Sequence, residues 1–372
     1  MGKIKGKKIC HLTSAHTRND IRIFQKECVS LAKGGYDISL VVADGLPDEV
    51  DKGVKIYGVA KETSRVKRFV KASKNVFLKA LEINADIYHF HDPELLPFGN
   101  KLKKRGYKVI FDSHEDLPRQ IMGKEYLPKF SRRIVASLLE RYEDYCCKKY
   151  DSIITATPFI NERFLKINKR SVNINNYPLL NEFKGGKSTG DKLRSKISYV
   201  GGITEIRGLT YLIRSLENCE VVLQLAGSIT PNSYQKELME EEGWKKVEYL
   251  GNVSRTEVKE ILNTSIAGIV TFLPYPNHIN AQPNKLFEYM SAGIPVIASN
   301  YPLWKGIVEK YNAGICVNPE NIDEIATAIT YLVQNPSIAQ QMGANGRKAV
   351  EEVFNWEQEE KKLIDVYNSM SV

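Results

Sequence analysis

Short apolar runs alternate with stretches of helical period over almost the whole chain. In the first half the runs fall at 8–12, 37–43, 54–59, 86–91, 108–112 and 152–155. Several are apolar at successive positions instead of every second one, the pattern of strands covered on both faces. Helices are predicted between them near 20–34, 65–82, 93–105 and 130–149, with Gly34-Gly35 and Gly106 as C-terminal stops. Residues 181–192, NEFKGGKSTGDK, are polar, glycine-rich and without period, which marks a linker. The rhythm then restarts, with strands predicted at 197–200, 221–225, 247–250, 267–272, 296–298 and 314–317 and a last helix over about 356–370.

This βαβα order calls for parallel sheets flanked by helices. The 372 residues suffice for two cores. The predicted fold is α/β, with two facing, doubly wound Rossmann-like domains and a cleft between them. In such sheets ligands sit beyond the strand C-termini, and two facing domains favour an enzyme of two substrates.

Composition adds exclusions. A chain 42% hydrophobic and 26% charged is ordinary for a globular protein. No apolar run approaches the ~18–20 residues that span a bilayer; the best, 266–273, is broken by Gly268 and closed by Pro274. The N-terminal MGKIKGKKICHL lacks a signal-peptide core, and Gly2 lacks the Ser or Thr at position 6 of a myristoylation signal. A cytoplasmic protein is expected. Six scattered cysteines, without a CxxC pair or zinc-ribbon spacing, are expected as reduced thiols. The charge is lopsided: residues 1–180 carry 34 Lys+Arg against 21 Asp+Glu, and residues 181–372 carry 19 against 23. The first half therefore seeks anions.

The most informative stretch is 273–299, LPYPNHINAQPNKLFEYMSAGIPVIAS. Pro283 suits the first turn of a helix, which places Asn284, Lys285 and Glu288 in its first two turns. Lys285 and Glu288, three apart, share a face. Free N–H groups and the helix dipole attract phosphate there, and a lysine adds a full charge. A carboxylate one turn deeper can accept both hydroxyls of a ribose. The plain alternative is an amphipathic helix with a solvated Lys–Glu pair.

This segment resembles the donor-site signature of family 4 retaining glycosyltransferases, which have two facing Rossmann-like domains. Val200-Gly201-Gly202-Ile203-Thr204-Glu205-Ile206-Arg207-Gly208 resembles that family's glycine turn followed by a basic residue and glycine. His89-Phe90-His91-Asp92-Pro93-Glu94 and Asp112-Ser113-His114-Glu115-Asp116 resemble a sub-group that builds bacterial surface polysaccharide, such as O-antigen or capsule. Phe354-Asn355-Trp356 resembles the closing element, where the last helix crosses back to the first domain.

The resemblance implies an acceptor-side domain at 1–180, a linker at 181–192, a nucleotide-sugar domain at 193–353 and a returning helix at 354–372. Arg207 and Lys285 would neutralise the donor diphosphate, Glu288 would hold the ribose, and Gly201, Gly202, Asn280 and Asn284 would line the donor site. His114 would face the transferred sugar, with His16, Arg18, His91 and Asp92 on the acceptor side. The implied partners are a UDP- or GDP-linked sugar and a glycan or lipid-linked acceptor, with no metal and no further cofactor. Three departures matter: Asn280 replaces the first of two glutamates that usually have seven residues between them, Gly202 replaces a frequent arginine, and Thr13–Arg22 replaces the paired glycines of the first loop. They leave the sugar open.

Three alternatives stay open. His89-x-His91 could be half of a zinc or binuclear hydrolase site, with Asp92, Asp112 and His114 near it, but such a site needs further ligands from later strands, and in the second half only His278 remains. A nucleotide-sugar epimerase or a non-enzymatic sugar-nucleotide sensor would use the same donor residues. Residues 65–81, RVKRFVKASKNVFLKAL, place Val66, Phe69, Val70, Val76, Phe77, Ala80 and Leu81 at helical spacing beside six basic residues. They read as a helix packed on one face and solvated on the other, or as one touching anionic lipid. No nucleic-acid module accompanies the charge.

Overall fold

Six of the eight strands in the first sheet are the apolar runs of the first half. They are β1 (Lys8–Thr13), β2 (Asp37–Val42), β4 (Val54–Gly58), β5 (Ile87–Phe90), β6 (Lys108–Ser113) and β7 (Ser152–Thr155), with β3 (Glu49–Asp51) and β8 (Ser171–Asn173) at the edges. The order is β3-β4-β2-β1-β5-β6-β7-β8. Only β3 runs antiparallel, in a hairpin with β4. Its turn, Lys52-Gly53, takes positive φ at both residues (48° and 82°), the backbone of a tight hairpin turn.

The computed structural model describes residues 6–123, 128–180, 182 and 194–370. The predicted linker therefore lies outside the described residues, apart from Glu182. The chain divides into two units: Met1–Asn176 with Trp356–Val372, and Tyr177–Asn355.

Two helices of the first unit depart from the expected pattern. Residues 21–33 begin as a π-turn, Ile21–Cys28, capped by Asp20, which accepts hydrogen bonds from the amides of Arg22 and Ile23 at 2.9 Å each. Its wider turn carries Arg22, Lys26 and Glu27 into the interior. A second π-turn, Arg68–Ala72, interrupts the basic helix before Ser73–Ile83. It rotates the first turns, so Val76, Phe77 and Ala80 are buried while Val66 is 75% and Phe69 55% exposed. The single apolar face expected over 65–81 is not formed.

The last helix, Trp356–Ser369, packs within the first unit. The Trp356 indole N–H donates to Ser30 Oγ (2.9 Å), and Glu359 accepts from the Asn175 amide (2.9 Å).

The second unit holds a parallel sheet of β9 (Lys196–Val200), β10 (Val222–Ala226), β11 (Val247–Gly251), β12 (Ser265–Val270), β13 (Val296–Ser299) and β14 (Gly314–Val317), in the order β11-β10-β9-β12-β13-β14. Strand order reverses at β1 in one sheet and at β9 in the other. Loops after a reversal diverge and open a crevice at the strand ends. Thr271 and Phe272, predicted inside β12, instead begin the loop, where the Leu273 amide bonds Ile206 O at 3.0 Å.

Candidate active site

In the second unit, β9 ends at Val200 and the chain turns through Gly201 at φ +128°. That φ favours glycine, and a Cβ there would lie 2.2 Å from Lys285 Nζ and so displace the end of the lysine. A short turn, Glu205–Arg207, leads to Gly208 at φ +76°, where a Cβ would strike Thr271 O at 1.9 Å. That close approach lays the Arg207 guanidinium on the Phe272 ring, 4.1 Å from its centre.

Lys285 reaches the same place from the helix Asn284–Ser291. Pro283 stands just before that helix with an extended ψ of 129°, not in its first turn as expected, because the helical backbone begins only at Asn284. Lys285 Nζ sits 5.9 Å from the Phe272 ring centre and 5.4 Å from that of Tyr199. Burial first, and then the Arg207 charge, lower its pKa to about 8, with Glu288 opposing. Among the described residues neither Arg207 nor Lys285 forms a salt bridge with an acid. His278 is the third member of this group. Burial, then Arg207, push it down to about 4, and its Nδ1 bonds Leu273 O at 3.1 Å.

Glu288 is one turn deeper, and Arg255 Nη2 lies 3.0 Å from its Oε1; Arg255 also pairs with Glu182. Asn280 closes the short helix Pro276–Ile279, Asn284 is the exposed first residue of its helix, and Gly202 faces open space. No hydrogen bond among the described residues joins these three to Arg207 or Lys285.

In the first unit, the loop after β1 wraps around the Asp92 carboxylate. Its Oδ2 accepts from Thr13 Oγ1 (2.8 Å) and from the amides of Ser14 (2.6 Å) and Ala15 (3.2 Å). With Ser14 Oγ as a fourth donor at 3.3 Å, the carboxylate organises the turn without the paired glycines. His16 stands over it, with Nε2 3.4 Å from Asp92 Oδ1 and Nδ1 3.2 Å from Asp20. Burial works against a charge on His16, but the Asp20 bond and the Asp92 and Asp20 charges raise its pKa.

His114 Nε2 is 3.0 Å from Asp112 Oδ2 and 3.2 Å from His91 Nδ1, and its ring centre is 5.2 Å from that of His16. Thus His16, His91, Asp92 and His114 come together. Arg18 does not join them. Its guanidinium is taken up by Asp44 (2.6 and 3.0 Å) and Glu49 (2.7 Å), which pin the loop after β2.

Residues 182–349 match the family model described as glycosyl transferases group 1. This stretch of the second unit is similar to a group 1 glycosyltransferase domain. A similar sequence is an uncharacterized glycosyltransferase of Methanocaldococcus jannaschii, 29% identical over 176 residues, which are 46% of this chain and 44% of that protein. The chain therefore matches less than half of that relative's length. Solved structures extend the likeness. Sucrose-phosphate synthase from Thermosynechococcus elongatus superposes with a TM-score of 0.79 at 17% identity, over 98% of this chain and 99% of that one. Anabaena HepE, in a complex with UDP and glucose, gives 0.74 at 15% identity, over 98% and 100%. At these identities the likeness shows the fold: α/β, in two domains, of the glycosyltransferase B type.

Within the second unit, Arg207, Lys285 and Gly201 converge on one spot at the reversal of the sheet. Phe272, Tyr199 and Arg255 belong to this surrounding but carry no sequence signal beyond an apolar run, a strand position and a helix start. Two adjacent cations without acid partners among the described residues make a site for a polyvalent anion.

Proposed function

We propose that the chain moves a sugar, with retention, from a UDP- or GDP-linked donor to a glycan or lipid-linked acceptor in surface-polysaccharide synthesis. One observation carries the reading: Arg207 and Lys285 press together around Phe272, each without an acid partner among the described residues. Their mutual repulsion is relieved by a diphosphate. As the sugar–phosphate bond breaks, charge grows on the leaving diphosphate, and these cations stabilise it more than the bound donor. In this family resemblance the leaving phosphate takes the acceptor proton, so no protein nucleophile or added cofactor is required. His114 with His16, His91 and Asp92 would orient sugar and acceptor.

HepE, similar over nearly the whole chain, is described with UDP and glucose, which supports a nucleotide-sugar donor here. For a lipid-linked acceptor, two features support contact with an anionic membrane. Val66 and Phe69 lie exposed among Lys67, Lys71 and Lys74. The helix Lys129–Cys147 exposes Phe130 (78%), Ile134 and Leu138 (59%) four residues apart, beside exposed Arg133 and Arg141.

A thermal-shift screen of nucleotide sugars tests the donor, since a ligand of the folded state raises the melting temperature. UDP- or GDP-sugars should stabilise, and nucleotide release should depend on added acceptor. Release without acceptor would favour an epimerase; binding without release would favour a sensor. Flotation with anionic vesicles at moderate salt checks the surface, and an unbound protein would remove the membrane from the proposal.

A further inference from the structure

The fold gathers three imidazoles on one face of the first sheet. His11 on β1 lies opposite His89 on β5 in parallel register, and His91 follows two residues later. Their ring centres stand 4.4 Å (His11–His89), 4.5 Å (His89–His91) and 5.2 Å (His11–His91) apart. Glu27, turned inward by the π-turn, comes to them from the side of the first helix. Its Oε2 is 4.0 Å from His11 Nδ1 and 3.9 Å from His89 Nδ1. All four residues are buried, and one potential ligand atom from each lies within 4.8 Å of the others.

Glu27 is the anomaly. Among the described residues neither of its oxygens has a hydrogen-bond partner, and the same holds for His89 Nε2. Arg22 Nε comes within 3.2 Å of Glu27 Oε1, but its single N–H is directed to Asp112 Oδ2 (2.9 Å). A fully buried carboxylate without donors is costly unless something else neutralises it. Asp20, Asp92 and Asp112 also act on Glu27 or His91, so negative groups outnumber the one guanidinium.

We propose that His11, Glu27, His89 and His91 bind one divalent transition cation of the zinc class. Three imidazoles and a carboxylate are the donor set such ions take, whereas magnesium and calcium prefer oxygen alone. Donor separations from 2.9 Å (His11 Nδ1 to His91 Nε2) up to 4.8 Å bracket those of four ligands held ~2.0–2.2 Å from one ion. The other nitrogens of the imidazoles have oxygen partners as well: His91 Nδ1 lies 3.3 Å from Asp112 Oδ2, and Tyr367 Oη lies 3.1 Å from His11 Nε2 and 2.7 Å from His89 Nδ1, so the open nitrogen of His89 is Nε2. Such contacts orient metal-binding histidines. The ion would tie β1, β5 and the first helix together behind the strand ends that carry His16 and His114. It takes no part in the proposed sugar transfer.

The competing occupant is a proton. Tyr367 could donate to His11, His11 to His91 and His91 to Asp112, with Glu27 protonated. Elemental analysis of the purified, tag-free chain separates the two. One zinc-class ion per chain is expected, chelation should lower the melting temperature, and cobalt-substituted protein should show visible d–d bands. Glu27→Gln and His89→Gln should lose the ion, and His114→Gln should keep it. Because the inner variants can misfold, the cobalt spectrum of the wild-type chain decides independently. A folded wild-type chain that holds no metal, takes up neither Zn2+ nor Co2+ and melts unchanged in chelator would overturn the proposal. So would loss of the ion in His114→Gln with retention in His89→Gln.

Discussion

Two clusters, one in each unit, handle charge in opposite ways. At the strand ends of the first unit, Arg22 spans Asp112 with two bonds, Asp92 collects four donors, and His16 is held between Asp20 and Asp92. In the second, Arg207 and Lys285 share a partly buried spot with no acid bonded to either among the described residues. A charge answered by the protein holds the fold together. A charge left unanswered is held ready for a ligand, and there the fold forgoes some stability.

Substitutions can break this contrast. Asp112→Ala should give the largest loss, about 3–5 kcal/mol of stability, because it strands the buried Arg22 guanidinium; denaturant unfolding would measure it. Lys285→Ala should do the reverse. Its melting temperature should stay near or above wild type, while kcat/KM for the donor falls by about 2.7–4 kcal/mol, the range for removing one charge-stabilising donor. A folded, fully active Lys285→Ala protein would take that residue out of the mechanism.

Gly201→Ala tests the turn that makes room for the lysine. Its positive φ and the Lys285 contact should cost about 1–3 kcal/mol, divided between stability and donor binding, and calorimetry resolves the two shares. The pH dependence sharpens the comparison further. Lys285, lowered to about 8, is largely neutral in the free protein above that pH, and a bound diphosphate favours its charged form. Donor affinity should therefore weaken as pH rises through 8, by at most about 1.4 kcal/mol per unit, and Lys285→Arg should flatten the profile. A flat wild-type profile between pH 7 and 9.5 would contradict that account.

The parts legible in the sequence are those where one local rule dominates. Apolar runs such as 38–42 and 109–111 read as strands because both faces of the sheet are covered. β3 and β8 were not legible: each has three residues and edge positions, with too little apolar pattern. Gly201, Arg207 and Lys285 could be picked out because a glycine turn and a helix start are local features. Glu27 and His11 could not. A charged residue on a helix is read as solvated, and only the π-turn at Ile21–Cys28 turns Glu27 inward. The side chains that cluster with His89 and His91 come from earlier elements, β1 and the first helix, as well as from β6. Arg18, grouped with its loop neighbours by proximity in sequence, was captured by Asp44 and Glu49, a tertiary contact that spacing does not reveal.

Calorimetric titration of UDP and GDP, each against its bare nucleoside, bears most directly on the unpaired cations. One diphosphate should bind far more tightly than its nucleoside, and the double variant Arg207→Ala/Lys285→Ala should erase that preference while remaining folded. A wild-type chain that binds nucleoside and diphosphate equally well, or a folded double variant that still prefers the diphosphate, would show that these two side chains do not hold the leaving group.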